Sequence, residues 1–207
     1  TWTQKSSGTT SNLLSVHFVG AVGYTVGENG TILWSTNWGN AWASRLSGIT
    51  NTWNCVYFTD TNTGYVFGDG VMLKTYNGGT SWTIKGLIFN LLSVVFINGS
   101  TGYGIGSGGT IQKTINSGQN WTTLASGTSK SLRSVSFLDL NSGYVVGDGG
   151  QILKTNNGGS DWILLTSSVT TNTLQSVYFP TKETGYTVGE AGTILKTING
   201  GEQWNVQ

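Results

Sequence analysis

The sequence contains one cysteine, one proline, one methionine and one histidine in 207 residues, and only 9% of its residues are charged. With Cys55 alone, no internal disulfide can form, and no Cys/His metal cluster can be assembled. With His17 as the single imidazole, no Ser-His-Asp set is credible. The formal net charge is +1 and no basic run occurs, so no electrostatic footprint for nucleic acid or an anionic membrane is visible. No stretch of 18 apolar residues exists, so no helical membrane span is expected. Sustained 3.6-residue apolar periodicity is also missing, and no helix longer than a turn is predicted.

Tryptophan, by contrast, is abundant and regular. Trp2, Trp42, Trp82, Trp121, Trp162 and Trp204 are separated by 40, 40, 39, 41 and 42 residues. A period that constant marks an internal repeat. Each repeat carries four landmarks in one order. The first is a strand-like Ser-Val-x-Phe run (Ser15–Phe18, Ser93–Phe96, Ser134–Phe137 and Ser176–Phe179, with Cys55 in the Ser place of Cys55–Phe58). Its Val and Phe are two apart and share a face. Gly-Tyr-x-x-Gly follows, as in Gly23–Gly27, and then an Ile-Leu-Lys-Thr strand, clearest at Ile152–Thr155 and Ile194–Thr197. A turn ending in Trp closes the unit. Asn-Gly and Asp-Gly turns tolerate the positive φ of tight hairpins, which predicts four short antiparallel strands per repeat.

A lone four-stranded sheet of this kind cannot cover both faces, whereas radial stacking does. The fold class is therefore all-β, a β-propeller of five four-stranded antiparallel blades, with an arc of a larger propeller as the alternative. One domain spans 1–207, with repeats at about 13–52, 53–90, 91–131, 132–173 and 174–207 and with 1–12 as an extra outer strand. The chain starts at Thr1 and not at Met, which suggests either a removed leader or a segment of something longer.

The closing turn reads Ser/Thr-x-Asn-x-Gly-x-x-Trp, as in Ser35–Trp42 and Thr155–Trp162. It resembles the Asp-box, or bacterial neuraminidase repeat, with Asn in each Asp place. The whole unit resembles the repeats of the photosystem II assembly and stability factor family. The resemblance implies a propeller, places the boxes away from the functional face, and suggests a photosystem-type assembly role. The structural repeat motif is Asn37, Trp42, Asn77, Trp82, Asn116, Trp121, Asn157, Trp162, Asn199 and Trp204. Each Asn oxygen is expected to accept from backbone N–H groups of its own turn.

Two sets of residues are candidate ligand contacts. Glu28, Asp69, Asp148 and Glu190 share one register in the turn between the second and third strands, where a ring of carboxylates could hold a cation or a basic ligand; turn chemistry alone also selects acids there. Trp34 and Trp38 replace Lys and Gly of other copies and could form a partner or glycan patch, while Trp53 is a further surplus aromatic. Lys74, Lys113, Lys154 and Lys196 are expected to form a solvated rim, and His17 a packed or hydrogen-bonded strand residue. No acidic residue departs from the repeat in the way a catalytic pair would, so no catalytic residue, no cofactor and no metal is expected. The reading is a non-catalytic extracellular or cell-surface scaffold for a protein partner or for self-association, without nucleic acid or membrane insertion; a periplasmic setting is the alternative. Its alternatives in function are a glycan-binding lectin, a photosystem-type assembly factor and a glycoside hydrolase.

Overall fold

The computed structural model describes residues 3–86, 89–165 and 169–207. It is all-β: five four-stranded antiparallel β-propeller blades and, among the described residues, no helix beyond single 3-10 turns at Ser107–Gly109, Asp148–Gly150 and Glu190–Gly192. Blade 1 comprises β1 (Leu13–Val19), β2 (Val22–Gly27), β3 (Ile32–Ser35) and β4 (Ala43–Ser44). Blade 2 comprises β5 (Cys55–Phe58), β6 (Gly64–Gly68), β7 (Val71–Thr75) and β8 (Thr83–Gly86). Blade 3 holds β9 (Leu91–Phe96), β10 (Gly102–Gly106), β11 (Ile111–Thr114) and β12 (Thr122–Leu124). Blade 4 holds β13 (Leu132–Phe137), β14 (Gly143–Gly147), β15 (Ile152–Thr155) and β16 (Ile163–Leu165). Blade 5 holds β17 (Leu174–Tyr178), β18 (Gly185–Gly189), β19 (Ile194–Thr197) and β20 (Asn205–Val206). Every blade is a meander in sequence order. By contact density the chain forms two units, residues 1–91 and 92–207.

Residues 3–12, expected as an extra outer strand, form no strand. Ser7 and Thr9 direct their hydroxyls to the backbone of their own segment, turn chemistry that competes with a ladder. Ser47-Gly48-Ile49 and Ser126-Gly127-Thr128 make the same local bonds between blades. Trp2 lies outside the described residues, as do Leu87, Ile88 and Thr166–Ser168, which fall in two of the connections between blades.

The box turns follow from their sequence. In blade 4 the Thr155 hydroxyl donates to Asn157 Oδ1 at 3.0 Å and accepts from the Gly159 N–H at 2.8 Å, while the same Oδ1 accepts from Asp161 N–H at 3.0 Å. Blades 1, 2, 3 and 5 repeat this around Asn37, Asn77, Asn116 and Asn199. The box Trp meets the Phe of its own first strand edge-on: Phe137–Trp162 centroids are 6.0 Å apart at 89°, and Phe179–Trp204 centroids 5.8 Å apart at 90°. Gly143 explains the first Gly of Gly-Tyr, because a Cβ there would strike the Phe137 ring.

Tyr24, Tyr103 and Tyr144, each from a Gly-Tyr, stack on the first strand of the following blade. Tyr144 stacks on Phe179 at 3.7 Å and 11°, Tyr103 on Phe137 at 4.0 Å and 19°, and in the first unit Tyr24 on Phe58 at 3.5 Å and 6°. Each such seam is thus a Tyr–Phe–Trp run, and stacked aromatics contribute about 0.5–1.5 kcal/mol beyond their buried area. A second bond crosses between first strands. Ser15 Oγ accepts from Val56 N–H at 3.2 Å, Ser134 Oγ from Val177 N–H at 3.2 Å, and His17 Nδ1 from Phe58 N–H at 3.3 Å. Trp53 does not join an exposed patch: it takes a leucine place in the first unit's core and is fully buried, because that register faces inward.

Candidate functional site

A meander of four strands sends its connections to two ends. At one end the turn between the second and third strands is bonded to the approach to the first strand. Glu28 N–H donates to Asn12 O, Asp148 N–H to Ser131 O and Glu190 N–H to Thr173 O. At the other end the box is bonded to the loop between the first and second strands: Trp38 N–H to Ala21 O, Gly158 N–H to Asn141 O and Gly200 N–H to Glu183 O. The box end is therefore locked backbone to backbone.

The four turn acids sit at that end, and three of them are engaged within their own blade. Glu28 accepts from the Asn12 amide at 3.1 Å, and Asp69 accepts from the Thr52 N–H at 2.7 Å. Asp148 accepts two bonds from Arg133, at 2.8 Å to Nε and 3.3 Å to Nη2. Arg133 stands between two blades' acids. Its bond to Asp148 raises its pKa, burial works against this, and the charges of Asp148 and Glu190 add to the rise. The structure so brings Asp148 and Glu190 to one guanidinium in the second unit. Among the described residues no group of three His, Cys, Asp or Glu side chains could hold a metal ion. Sequence reading passed over Arg133. The signal available was its place, one residue after the inward Leu132, where Leu14, Asn54, Leu92 and Gln175 stand in the other repeats.

Trp34 and Trp38 occupy different settings in blade 1. Trp34 is half-buried opposite Tyr24 in the β2–β3 ladder, with the Arg45 guanidinium 4.1 Å from its ring centroid. Trp38 is 70% exposed in the box turn and adopts φ +61°, a left-handed conformation taken by glycine in blades 2, 4 and 5. Such a residue carries about 1–3 kcal/mol of backbone strain.

Of the four lysines expected as a solvated rim, Lys113 and Lys154 are bonded into seams. Lys154 Nζ and Tyr144 Oη both donate to Gly200 O at 2.8 Å, and Lys113 Nζ and Tyr103 Oη both donate to Gly158 O, at 2.8 and 2.7 Å. Each lysine lies across from its tyrosine in the ladder and over its ring. Lys74 is almost sealed from solvent, and there burial depresses the pKa but the Tyr76 and Tyr65 hydroxyls outweigh it and hold the ammonium charged. The physical reason for the difference is that each of these lysine stems packs along the neighbouring ring while its charge reaches the box carbonyl that the tyrosine hydroxyl also uses.

Two further acids, Asp60 and Asp139, lie in the loop between the first and second strands. Asp139 Oδ1 accepts from Asn141 and Ser142 N–H, both at 2.8 Å, and these bonds hold its carboxyl below the usual range. At Asp60 burial pushes upward, but the N–H groups of Thr63 and Asn62 and the neighbouring hydroxyls prevail and lower it. Asn98 makes the same two bonds without charge in blade 3, so the position selects an acceptor and not an acid. Beside Asp139 a cavity of about 240 Å³ in the second unit is lined by Tyr144, Lys154, Lys182, Glu183, Asn199 and Glu202.

Fold and repeats define the class: a propeller of bacterial-neuraminidase-type repeats. The family model described as "Photosynthesis system II assembly factor YCF48" matches residues 112–207. Among solved structures, "YCF48 bound to D1 peptide" is 20% identical with a TM-score of 0.57 over 96% of this chain and 82% of that one. YCF48 from Cyanidioschyzon merolae is 17% identical with a TM-score of 0.57, over 95% and 85%. A GH74 enzyme of Niastella koreensis is 18% identical with a TM-score of 0.77, over 94% of this chain and 38% of that one. This chain thus spans well under half the length of that enzyme. No curated protein matches significantly in sequence. The resemblance to the photosystem II assembly factor repeats stands, and at these identities the solved structures speak for the fold.

Proposed function

We propose that the chain is a non-catalytic binding module that offers the turn ends of its blades to a protein partner in extended form, outside the cell or at its surface. The observation that carries this reading is the engagement of the turn acids. Glu28, Asp69 and Asp148 are held by an amide, a backbone N–H and a guanidinium, so the turn end is a rigid hydrogen-bonding frame and not an open ring of carboxylates. Amides, hydroxyls and one guanidinium with its acids suit the alternating donors and acceptors of a peptide backbone. The YCF48 structure with a D1 peptide supports a protein partner, and the family match supports a photosystem-type assembly role as the alternative to the extracellular reading. With a net charge of +1, recognition here rests on hydrogen bonding more than on long-range attraction. Few charges and many Thr, Asn and Gly support the extracellular setting.

Catalysis of the GH74 kind needs two carboxylates at matched separation, one of them with a raised pKa. Asp60 and Asp139 are displaced downward by backbone donors, which disfavours them as general acids. The test is a peptide array and a glycan array read with the same protein, followed by titration of the best peptide. Binding of an extended peptide, weakened about tenfold by Arg133→Ala, is the expected result. A blank peptide array with sugar binding, or hydrolysis of xyloglucan, would overturn the reading.

A further inference from the structure

Asparagine followed by glycine is the dipeptide whose side-chain amide is lost most readily, because the unhindered glycine nitrogen can attack the neighbouring side-chain carbonyl. This chain holds it in five places: Asn29-Gly30, Asn77-Gly78, Asn98-Gly99, Asn157-Gly158 and Asn199-Gly200. In four of them the attacking nitrogen is held elsewhere. Gly30 N–H donates to Asn51 O at 2.9 Å, Gly78 N–H to Asn62 O at 2.9 Å, Gly158 N–H to Asn141 O at 2.9 Å and Gly200 N–H to Glu183 O at 2.8 Å. The Gly99 N–H has no acceptor among the described residues, and Asn98 and Gly99 are both exposed. The Asn98 carbonyl is also polarised. Its Oδ1 accepts from Ser100 N–H at 2.9 Å, Thr101 N–H at 2.7 Å and the Ser100 hydroxyl at 3.1 Å. Those donors aim at the oxygen on which negative charge develops when Cγ is attacked.

We propose that Asn98 is a self-modification site, at which the Gly99 nitrogen closes on the Asn98 side chain and converts it to a mixture of aspartate and isoaspartate. The Gly99 nitrogen gives its proton to water or hydroxide and bonds to Asn98 Cγ. The Cγ–Nδ2 bond breaks, and Nδ2 leaves as ammonia with a proton from solvent. Water then opens the ring imide at one of its two carbonyls. Opening at Cγ restores the main chain with an aspartate; opening at the backbone carbonyl leaves the chain running through the side chain as isoaspartate. The fold accommodates the aspartate, because Asp60 and Asp139 stand at the same register in blades 2 and 4. Asp60 Oδ1 accepts from Asn62 and Thr63 N–H at 2.7 and 2.8 Å, and Asp139 Oδ1 from Asn141 and Ser142 N–H at 2.8 Å, the bonds that Asn98 makes as an amide. The reaction thus supplies the acid that blades 2 and 4 already carry, and adds one negative charge to a chain of net charge +1. Isoaspartate instead lengthens the main chain by one atom and breaks the register of those bonds. The site lies at the box end, so the inference is independent of what the turn ends bind.

Peptide mapping by mass spectrometry after incubation of the whole chain at mildly alkaline pH tests this, with enzymatic methylation of isoaspartate as a second readout. Asn98 is expected to convert at least about tenfold faster than Asn29, Asn77, Asn157 and Asn199, and to yield both isomers. In urea, with the fold gone, the five sites should converge on one rate. Gly99→Ala should slow the loss at Asn98 about tenfold, and it leaves the fold intact because a Cβ there meets nothing within 4 Å. Asn98→Asp should keep the wild-type circular dichroism and melting temperature. Equal rates at all five sites in the folded chain, an Asn98 that stays intact or gives aspartate alone, a spread of rates that persists in urea, or an Asn98→Asp chain that melts well below the wild type would each overturn the proposal.

Discussion

The face of blade 4 that holds Tyr144 and Lys154 and the face of blade 5 that holds Tyr186 and Lys196 carry the same residues at the same registers, yet they live in different surroundings. Tyr144 is sealed against Phe179 with its hydroxyl on Gly200 O; Tyr186 lies partly open, with Lys196 5.6 Å from its ring centroid. The same side chains are therefore sealed where a following blade is packed on them, as Tyr144 is and Tyr186 is not. The value of each side chain comes from the neighbour and not from its own blade.

The largest effect should come from removing the ring. Tyr144→Ala is expected to destabilise by about 3–5 kcal/mol, the range of buried aromatic truncations, while Tyr186→Ala should cost under about 1 kcal/mol in dilute solution. Urea denaturation of the two variants measures the gap, and equal losses would erase the distinction. Next comes the ammonium. Lys154→Met should cost about 1 kcal/mol, because Gly200 O keeps the tyrosine bond, and Lys196→Met should be close to neutral. A third effect is alkaline. Burial, aided by the Glu183 charge, pushes the Tyr144 phenol up to about 12 from 10.0. A group whose pKa rises on folding gives stability that is complete below the unfolded value and is lost as pH climbs through the folded one. The seam should therefore weaken as pH rises from 10 toward 12, and Tyr144→Phe should flatten that part of the pH–stability curve. The smallest effect is acidic. Asp139 has a lowered pKa, so its contribution is present above its unfolded value of 3.8 and fades as pH falls through the folded one. Asp139→Asn should remove that dependence with little loss at neutral pH, since Asn98 does the same work in blade 3.

Much of this was legible in the sequence because a repeat shows which residues share a register. Ser-Val-x-Phe, Gly-Tyr and the Asn boxes gave the strands, the turns and the side-chain caps, all of which are local. The seams were not legible. Tyr103 and Tyr144 reach carbonyls 55 and 56 residues away, and Lys113 and Lys154 reach the same atoms across 45 and 46. Periodicity tells that Lys154 and Tyr144 face the same way but not what they face, so the lysines read as a solvated rim. The setting of Trp53 was open for a related reason: a tryptophan replacing leucine signals size, and only the packing reveals that the larger ring is buried. Arg133 was hidden because its role depends on the Asp148 turn, which lies on another strand of the same blade.

The account stands on the direct coupling of one blade's tyrosine to the next blade's phenylalanine. A double-mutant cycle with Tyr144→Ala and Phe179→Leu, followed by urea unfolding, measures that coupling alone. The expected value is about 0.5–1.5 kcal/mol of favourable interaction between the two rings. Strictly additive losses would contradict it.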